Sequence, residues 1–95
     1  MIKHIVAWNI KQDAPQDAAQ QIKTALESLA GKIDGLIEIK VQTNLVAGSN
    51  RQILLDSLFE SEEALAVYQA HPLHVAAAQI VGTLAYDRIC LDWHC

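Results

Sequence analysis

The stretch that decides the fold is Ile2–Ile10, with the sequence IKHIVAWNI. Successive side chains of a β-strand point to opposite faces of its sheet. One face of this stretch therefore carries His4 and Trp8, and the other carries Ile5 and Ala7. Because both faces are rich in apolar side chains, the pattern predicts a strand that is covered on both sides.

Outward from this strand, the chain alternates between strand and helix patterns. A helical stripe of apolar residues follows the helix-start residues 13–15, and His71-Pro72 interrupts a second helical stretch. The predicted elements are a strand over 2–10, a helix from 18, strands over 36–43 and 52–59, a helix from 61, a short helix over 72–81 ended by Gly82, and a strand over 86–94. This β-α-β-β-α-β order predicts an α+β, ferredoxin-like fold with a four-stranded antiparallel sheet, formed by residues 1–95 as one domain.

Composition excludes several classes of protein. The chain has a net charge of −4 and no basic stripe, which disfavours a nucleic-acid partner. No apolar run reaches the ~18 residues of a membrane span, and no cleavable leader is evident at the N-terminus. Two cysteines without a Cys-x-x-Cys motif favour a reducing compartment, so we expect a cytoplasmic protein.

The apolar content predicts a partner for the sheet. Hydrophobic residues make up 52% of this short chain, more than the core of a small monomer buries. Helices cover only one face of the sheet, and the strand over 52–59 also has two apolar faces. We therefore expect a homodimer in which two sheets pack face to face, as in a dimeric α+β barrel.

One group of side chains is suited to proton transfer. Tyr68, His71 and His74 form a Tyr-x-x-His-Pro-x-His motif around the broken helix, and His4 projects from the first strand. Histidine titrates near neutral pH and a tyrosine hydroxyl donates hydrogen bonds, so the group can serve acid–base chemistry. Asp92, near the end of the last strand, is a carboxylate that can orient a histidine.

Four segments of the chain resemble the stress-responsive A/B barrel domain family. They are MIKHIVAW at 1–8, FES at 59–61, YQAHPLHV at 68–75 and DRICLDW at 87–93, and the resemblance extends over essentially the whole chain. The family is one of dimeric α+β barrels. The resemblance therefore implies the same fold and the same pairing of sheets that the strand patterns predict.

The same family includes polyketide cyclases of the olivetolic acid cyclase type, which perform an aldol condensation without a cofactor. By this resemblance His74 matches the catalytic base, Tyr68 the hydroxyl that steadies a carbonyl, His4 a pocket histidine and Asp92 a carboxylate that supports the base. The chain departs from those cyclases at Arg88, where a charge stands at a position that faces their pocket.

Two functional hypotheses remain open from the sequence. The first is a small-ligand pocket between helices and sheet, used for cofactor-free and metal-free acid–base catalysis on a carbonyl compound. The second is a non-enzymatic oligomer or ligand-binding module, in which the histidines form a structural network and His71 caps a helix. A third hypothesis, oxygenation without a cofactor, rests on shared architecture alone. Further residues expected to line the pocket are Val6, Trp8, Ile22, Leu55, His71 and Arg88.

Overall fold

The computed structural model describes residues 1–95 and confirms the ferredoxin-like arrangement. Its sheet has the strand order β2-β3-β1-β4, and every neighbouring pair is antiparallel. The sheet thus has β1 at its centre beside β3, with β2 and β4 at its edges. The elements are β1 (Ile2–Ile10), α1 (Ala18–Glu27), β2 (Leu36–Gln42), β3 (Ile53–Phe59), α2 (Glu62–Ala70), α3 (Pro72–Leu84) and β4 (Ala85–His94).

The core lies between the helices and one face of the sheet, here called the inner face. Burial alternates along β3, where Ile53, Leu55 and Phe59 are buried and the residues between them are only partly buried or polar. From α1, Ile22 and Leu26 fill the space above these strands. The predicted period-2 pattern therefore separates the inner face from the opposite, outer face.

The outer face carries an uncovered apolar patch in the isolated chain, beside an ion pair between Lys3 and Asp56. Ile89, Leu91 and Trp93 of β4 are 42%, 60% and 48% exposed, and Leu91 lies directly opposite Ile5 of β1. Leu54 of β3 continues this surface from the other side of β1. No helix of the structure covers these side chains, so the two-faced pattern of β1 leads to an uncovered apolar face.

The break between α2 and α3 lies at His71, as the proline predicts. His71 has an extended backbone (φ −66°, ψ 135°), and its Nδ1 accepts a hydrogen bond from the backbone N–H of Leu73 at 3.1 Å. Pro72 occupies the first turn of α3, where a missing N–H has no cost. His71 is therefore the N-cap of α3.

The end of α3 differs from the prediction. Gly82 was expected to end the helix, but α3 continues to Leu84. Val81 and Leu84 are both buried in the core, and the N–H of Ala85 donates to the carbonyl of Val81. A glycine inside a helix costs only about 1 kcal/mol relative to alanine, which is less than burying one large aliphatic side chain contributes.

A bulge interrupts the ladder between β1 and β4. Ala7 pairs with Ile89 and Asn9 with Tyr86, so Asp87 and Arg88 together lie opposite the single residue Trp8. Asp87 has a positive φ of 60°, a conformation that aspartate tolerates better than most residues. Such bulges redirect individual side chains at the edge of a sheet.

Two glycines near the end of α1 provide a test of backbone packing. Gly35 has φ +87°, and a Cβ there would lie 2.5 Å from the Cβ of Ala64 in α2. Gly31 has φ +75° but open space around it. We expect Gly31→Ala to cost about 1–2 kcal/mol for its left-handed backbone, and Gly35→Ala to cost about 1–3 kcal/mol more because of the contact.

Urea unfolding of both variants checks this expectation. Equal losses of stability in Gly31→Ala and Gly35→Ala would contradict it. They would show that α2 moves away from residue 35 at no cost in the free energy of unfolding.

No helix of this chain combines the length and the apolar character that crossing a bilayer requires.

Candidate functional site

A cavity of about 210 Å³ lies between the inner face of the sheet and the α3 helix. An engineered cavity of about 150 Å³ accommodates benzene, so this space suits a compact molecule and not a long chain. Strands β1, β3 and β4 supply one wall, and α1 and α3 supply the other. The lining residues are His4, Val6, Trp8, Leu26, Leu55, His74, Ala78, Val81, Gly82 and Arg88.

His4 is held at this wall by a carboxylate. It is 3% exposed, and its Nδ1 lies 2.5 Å from Oδ1 of Asp92, which is directly opposite on β4. A buried imidazole requires a hydrogen-bond partner, and the partly exposed Asp92 provides it. His4 and Phe59 also pack edge to face, with ring centroids 6.0 Å apart. The orientation of His4 is therefore fixed from two directions.

Asp92 was expected to support His74, and here the structure differs. The contact of Asp92 is with His4, while His74 uses the backbone carbonyl of Gln69 at 3.1 Å. The cross-strand register explains the difference, because residues directly opposite in an antiparallel pair have Cβ atoms only about 4.5–5.5 Å apart. His74 projects instead from α3, beyond the turn in which α2 ends.

His74 has the properties of a proton acceptor. A carbonyl oxygen can only accept, so the Nδ1 of His74 donates to Gln69 and the Nε2 of a neutral ring keeps its lone pair. Partial burial lowers the pKa of His74; the Gln69 bond opposes this, and the charges of His4 and Arg88 add to the lowering. The neutral, basic form of His74 therefore predominates at pH 7.

Tyr68 lies behind the cavity wall, in contact with His74. Its side chain is fully buried, and its ring centroid is 4.3 Å from that of His74, 4.8 Å from that of Phe59 and 6.3 Å from that of His4. Its hydroxyl has no hydrogen-bond partner, and burial raises the pKa of Tyr68 to about 12. The phenol therefore stays protonated and is a donor without an acceptor.

Of the side chains expected to line the pocket, two lie elsewhere. Val6, Trp8, Leu55 and Arg88 lie on the cavity wall together with His4 and His74. Ile22 is 0% exposed within the core, because it is on the side of α1 that faces the interior. His71 does not line the cavity, since its ring caps α3.

The α3 side of the wall was missed by the sequence analysis. Ala78, Val81 and Gly82 line the cavity with His74, and all four lie on one face of α3 at intervals of three and four residues. That spacing was visible in the sequence. Because Ala78 and Gly82 are small, they leave space beside the imidazole of His74.

One cluster combines atoms that metals accept. Nitrogen, sulfur and oxygen atoms of His4, Cys90 and Asp92 lie within 4.8 Å of one another, a donor set that suits a cation such as Zn²⁺. Burial and the Asp92 carboxylate raise the pKa of the Cys90 thiol, which favours its protonated form. Two members of the cluster, His4 and Asp92, already form a hydrogen bond with each other. His71 takes no part in it.

Comparisons with known proteins support the fold. A dimeric protein of unknown function from Bacteroides fragilis is 32% identical, with 99% of this chain and 95% of that chain covered at a TM-score of 0.87. A dimeric ferredoxin-like protein of unknown function from Thermobifida fusca is 26% identical, with coverages of 99% and 90% and a TM-score of 0.88. A hydroxynitrile lyase from Passiflora edulis is 18% identical, with coverages of 97% and 90% and a TM-score of 0.83, a likeness that shows the fold alone.

A search of curated proteins finds no match. The family model for the stress responsive A/B barrel domain matches residues 2–95, nearly the whole chain, in agreement with the resemblance of the four sequence segments. The chain therefore belongs to the stress responsive A/B barrel domain family.

Proposed function

We propose that this protein binds a small carbonyl compound in the cavity and catalyses proton transfer at the carbon next to its carbonyl group. The observation that carries the proposal is the environment of His74. Its Nδ1 is engaged by Gln69, its pKa is lowered, and its ring lies on the wall of a cavity of ligand size. A positioned imidazole of this kind contributes about 10²–10⁴-fold to a proton-transfer rate.

In the proposed reaction, Nε2 of His74 removes a proton from the carbon next to the carbonyl. The electron pair of that C–H bond forms an enolate, whose oxygen accepts a hydrogen bond from the Tyr68 hydroxyl. The enolate carbon then attacks a second carbonyl of the same molecule, as in an aldol-type cyclisation, and the resulting alkoxide takes up the proton. In an isomerisation, the enolate instead takes up the proton at a different atom from the one that lost it. His74 returns the proton, so the cycle consumes no cofactor.

The His4–Asp92 pair has a supporting role in this proposal. His4 lines the same cavity as His74, from the opposite wall, and the carboxylate of Asp92 holds its ring in one orientation. We propose that His4 binds polar atoms of the ligand and that Asp92 prevents its ring from rotating.

The outer face completes the proposed assembly. Its apolar side chains are uncovered in one chain, and the similar structures from Bacteroides fragilis and Thermobifida fusca are dimers. We propose a homodimer in which the outer faces of two sheets pack together. A stable interface of this kind buries roughly 1,200–2,000 Å² in total.

One observation favours the alternative of a ligand-binding module without catalysis. Tyr68 is fully buried and does not line the cavity, so a substrate oxygen reaches its hydroxyl only if ligand binding opens the wall. In that alternative, the packing of Tyr68 against Phe59 and His74 serves stability alone.

A direct test measures deuterium exchange in D₂O by proton NMR. The probes are 2-butanone, methyl levulinate and levulinate (4-oxopentanoate), each with and without the protein. We expect the protein to accelerate exchange next to the carbonyl in at least one probe. Rates equal to those in buffer for all three would contradict the proposal and favour the binding module.

Tyr68→Phe separates the two roles of the tyrosine. Removing a buried hydroxyl that has no partner is expected to leave stability unchanged or to raise it by up to about 1 kcal/mol, because a desolvation cost disappears. The exchange rate is expected to fall by about 10–100-fold, since one hydrogen bond to the enolate oxygen is lost. An unchanged rate would identify Tyr68 as a packing residue.

A further inference from the structure

Arg88 is the only Lys, Arg, Asp or Glu residue on the cavity wall. Six of the ten lining residues are hydrophobic, and the other four are Arg88, His4, His74 and Gly82. No carboxylate of the chain forms an ion pair with Arg88, although the nearby Arg51 is paired with Asp87. The side-chain contact of Arg88 is with the Cys90 thiol, a weak acceptor, so most of the five N–H donors of the guanidinium are left for another partner.

Alternation along β4 places Arg88 at this wall. Arg88 lies two residues before Cys90, which is opposite Val6 on the inner face, so Arg88 shares that face. The extra residue of the bulge is Asp87, directly before Arg88. Arg51 fixes the bulge by donating from Nε to the carbonyl of Asp87 at 2.8 Å. Asn9 fixes it from β1 by donating to the Asp87 carboxylate at 3.2 Å. The backbone under Arg88 is thus anchored on both sides.

We propose that Arg88 is a carboxylate-binding subsite, so that the substrate is a short keto acid with its carboxylate on Arg88 and its carbonyl group beside His74. This inference deepens the proposed function and rests on it. A guanidinium binds a carboxylate through two parallel hydrogen bonds, and such charge-assisted bonds are about twice as strong as neutral ones. The chain carries a net charge of −4, so an anion is attracted here only by a local cation.

The size and charge of the cavity narrow the ligand class further. A volume of about 210 Å³ accommodates a molecule somewhat larger than benzene. A phosphate dianion is a poorer match, because one arginine neutralises only half of its charge. A monocarboxylate with a ketone a few bonds away matches both the single cation and the apolar walls.

The test compares two probes that differ in charge and by one methyl group, levulinate and its methyl ester, by NMR titration of the full chain. We expect the wild-type protein to bind levulinate about tenfold or more tightly than the ester. Arg88→Gln should bind both equally, and Arg88→Lys should keep part of the preference. Lys32→Gln removes one positive charge from an exposed position outside the cavity and should keep the full preference.

The outcomes separate this inference from the proposed catalysis. Equal binding of the two probes by the wild type, a preference that survives in Arg88→Gln, or no binding of either probe overturns the carboxylate subsite. A preference that requires Arg88, without any deuterium exchange, supports the subsite and contradicts the catalysis. Exchange that is equally fast with both probes, together with equal binding, supports the catalysis and contradicts the subsite. Thermal unfolding of each variant verifies that it is folded.

Discussion

Replacing His74 with alanine is expected to lower the rate of deuterium exchange by about 10²–10⁴-fold, because the imidazole that the proposal assigns as the base is lost. His4, the other imidazole there, is engaged at Nδ1 by Asp92. The measurement is the exchange rate of whichever ketone probe the wild type accelerates most.

The control for this variant is the other histidine of the motif. His71→Asn removes an imidazole but leaves a residue that caps helices well, and His71 does not line the cavity. We expect its exchange rate to stay within about twofold of the wild type. A rate in His74→Ala equal to that of His71→Asn would end the assignment of His74 as the base.

The pH dependence of the wild-type rate supplies a second readout. Burial lowers the folded-state pKa of His74 below its ordinary value of 6.5, so the base form persists into mildly acidic solution. The rate should be constant near neutral pH and should fall as the pH decreases through this lowered pKa. Stability changes in the same direction, because the unfolded chain binds the proton more readily. A midpoint above 6.5 would contradict the burial of a neutral His74.

The second large effect concerns the outer face. Leu91→Asp places a carboxylate within the apolar patch of the proposed interface, opposite Ile5, where the isolated chain leaves the side chain 60% exposed. Burying an unpaired charge costs several kcal/mol, so the dissociation constant of the dimer should rise at least about 100-fold. The fold of one chain should persist, because position 91 is not part of its core.

Val67 offers a matched control for this variant. It is 57% exposed on α2, away from the outer face, so Val67→Asp adds the same charge to a similarly exposed apolar position. We expect a dimer for the wild type and Val67→Asp, and a folded monomer for Leu91→Asp, by light scattering at micromolar concentration. A monomeric wild type, or a Leu91→Asp protein that remains dimeric, would contradict the proposed interface.

Local patterns predicted the fold and part of the site. The alternation in β1 placed His4 on the face toward the helices, and the proline in the motif separated α2 from α3. Both features depend on side chains that are close in sequence. The resemblance to the family also concerned the fold, which the match over residues 2–95 confirms.

Features that depend on strand register could not be predicted in this way. Asp92 contacts His4 because the two are opposite in the β1–β4 ladder, and a shift of one residue would turn Asp92 to the other face. The bulge at Asp87 is likewise invisible in the sequence. For Ile22, periodicity predicted burial but did not distinguish the closed core from the wall of a cavity.

Strand β4 gives two surfaces to one backbone segment. Asp92 is turned toward His4, and its neighbours Leu91 and Trp93 are turned toward the proposed second subunit. A contact that fixes the backbone of this edge strand on one face also positions the side chains on its other face. Self-association and ligand capture should therefore be thermodynamically linked, so that dilution weakens the affinity for ligand and saturation with ligand tightens the pairing of subunits by the same factor.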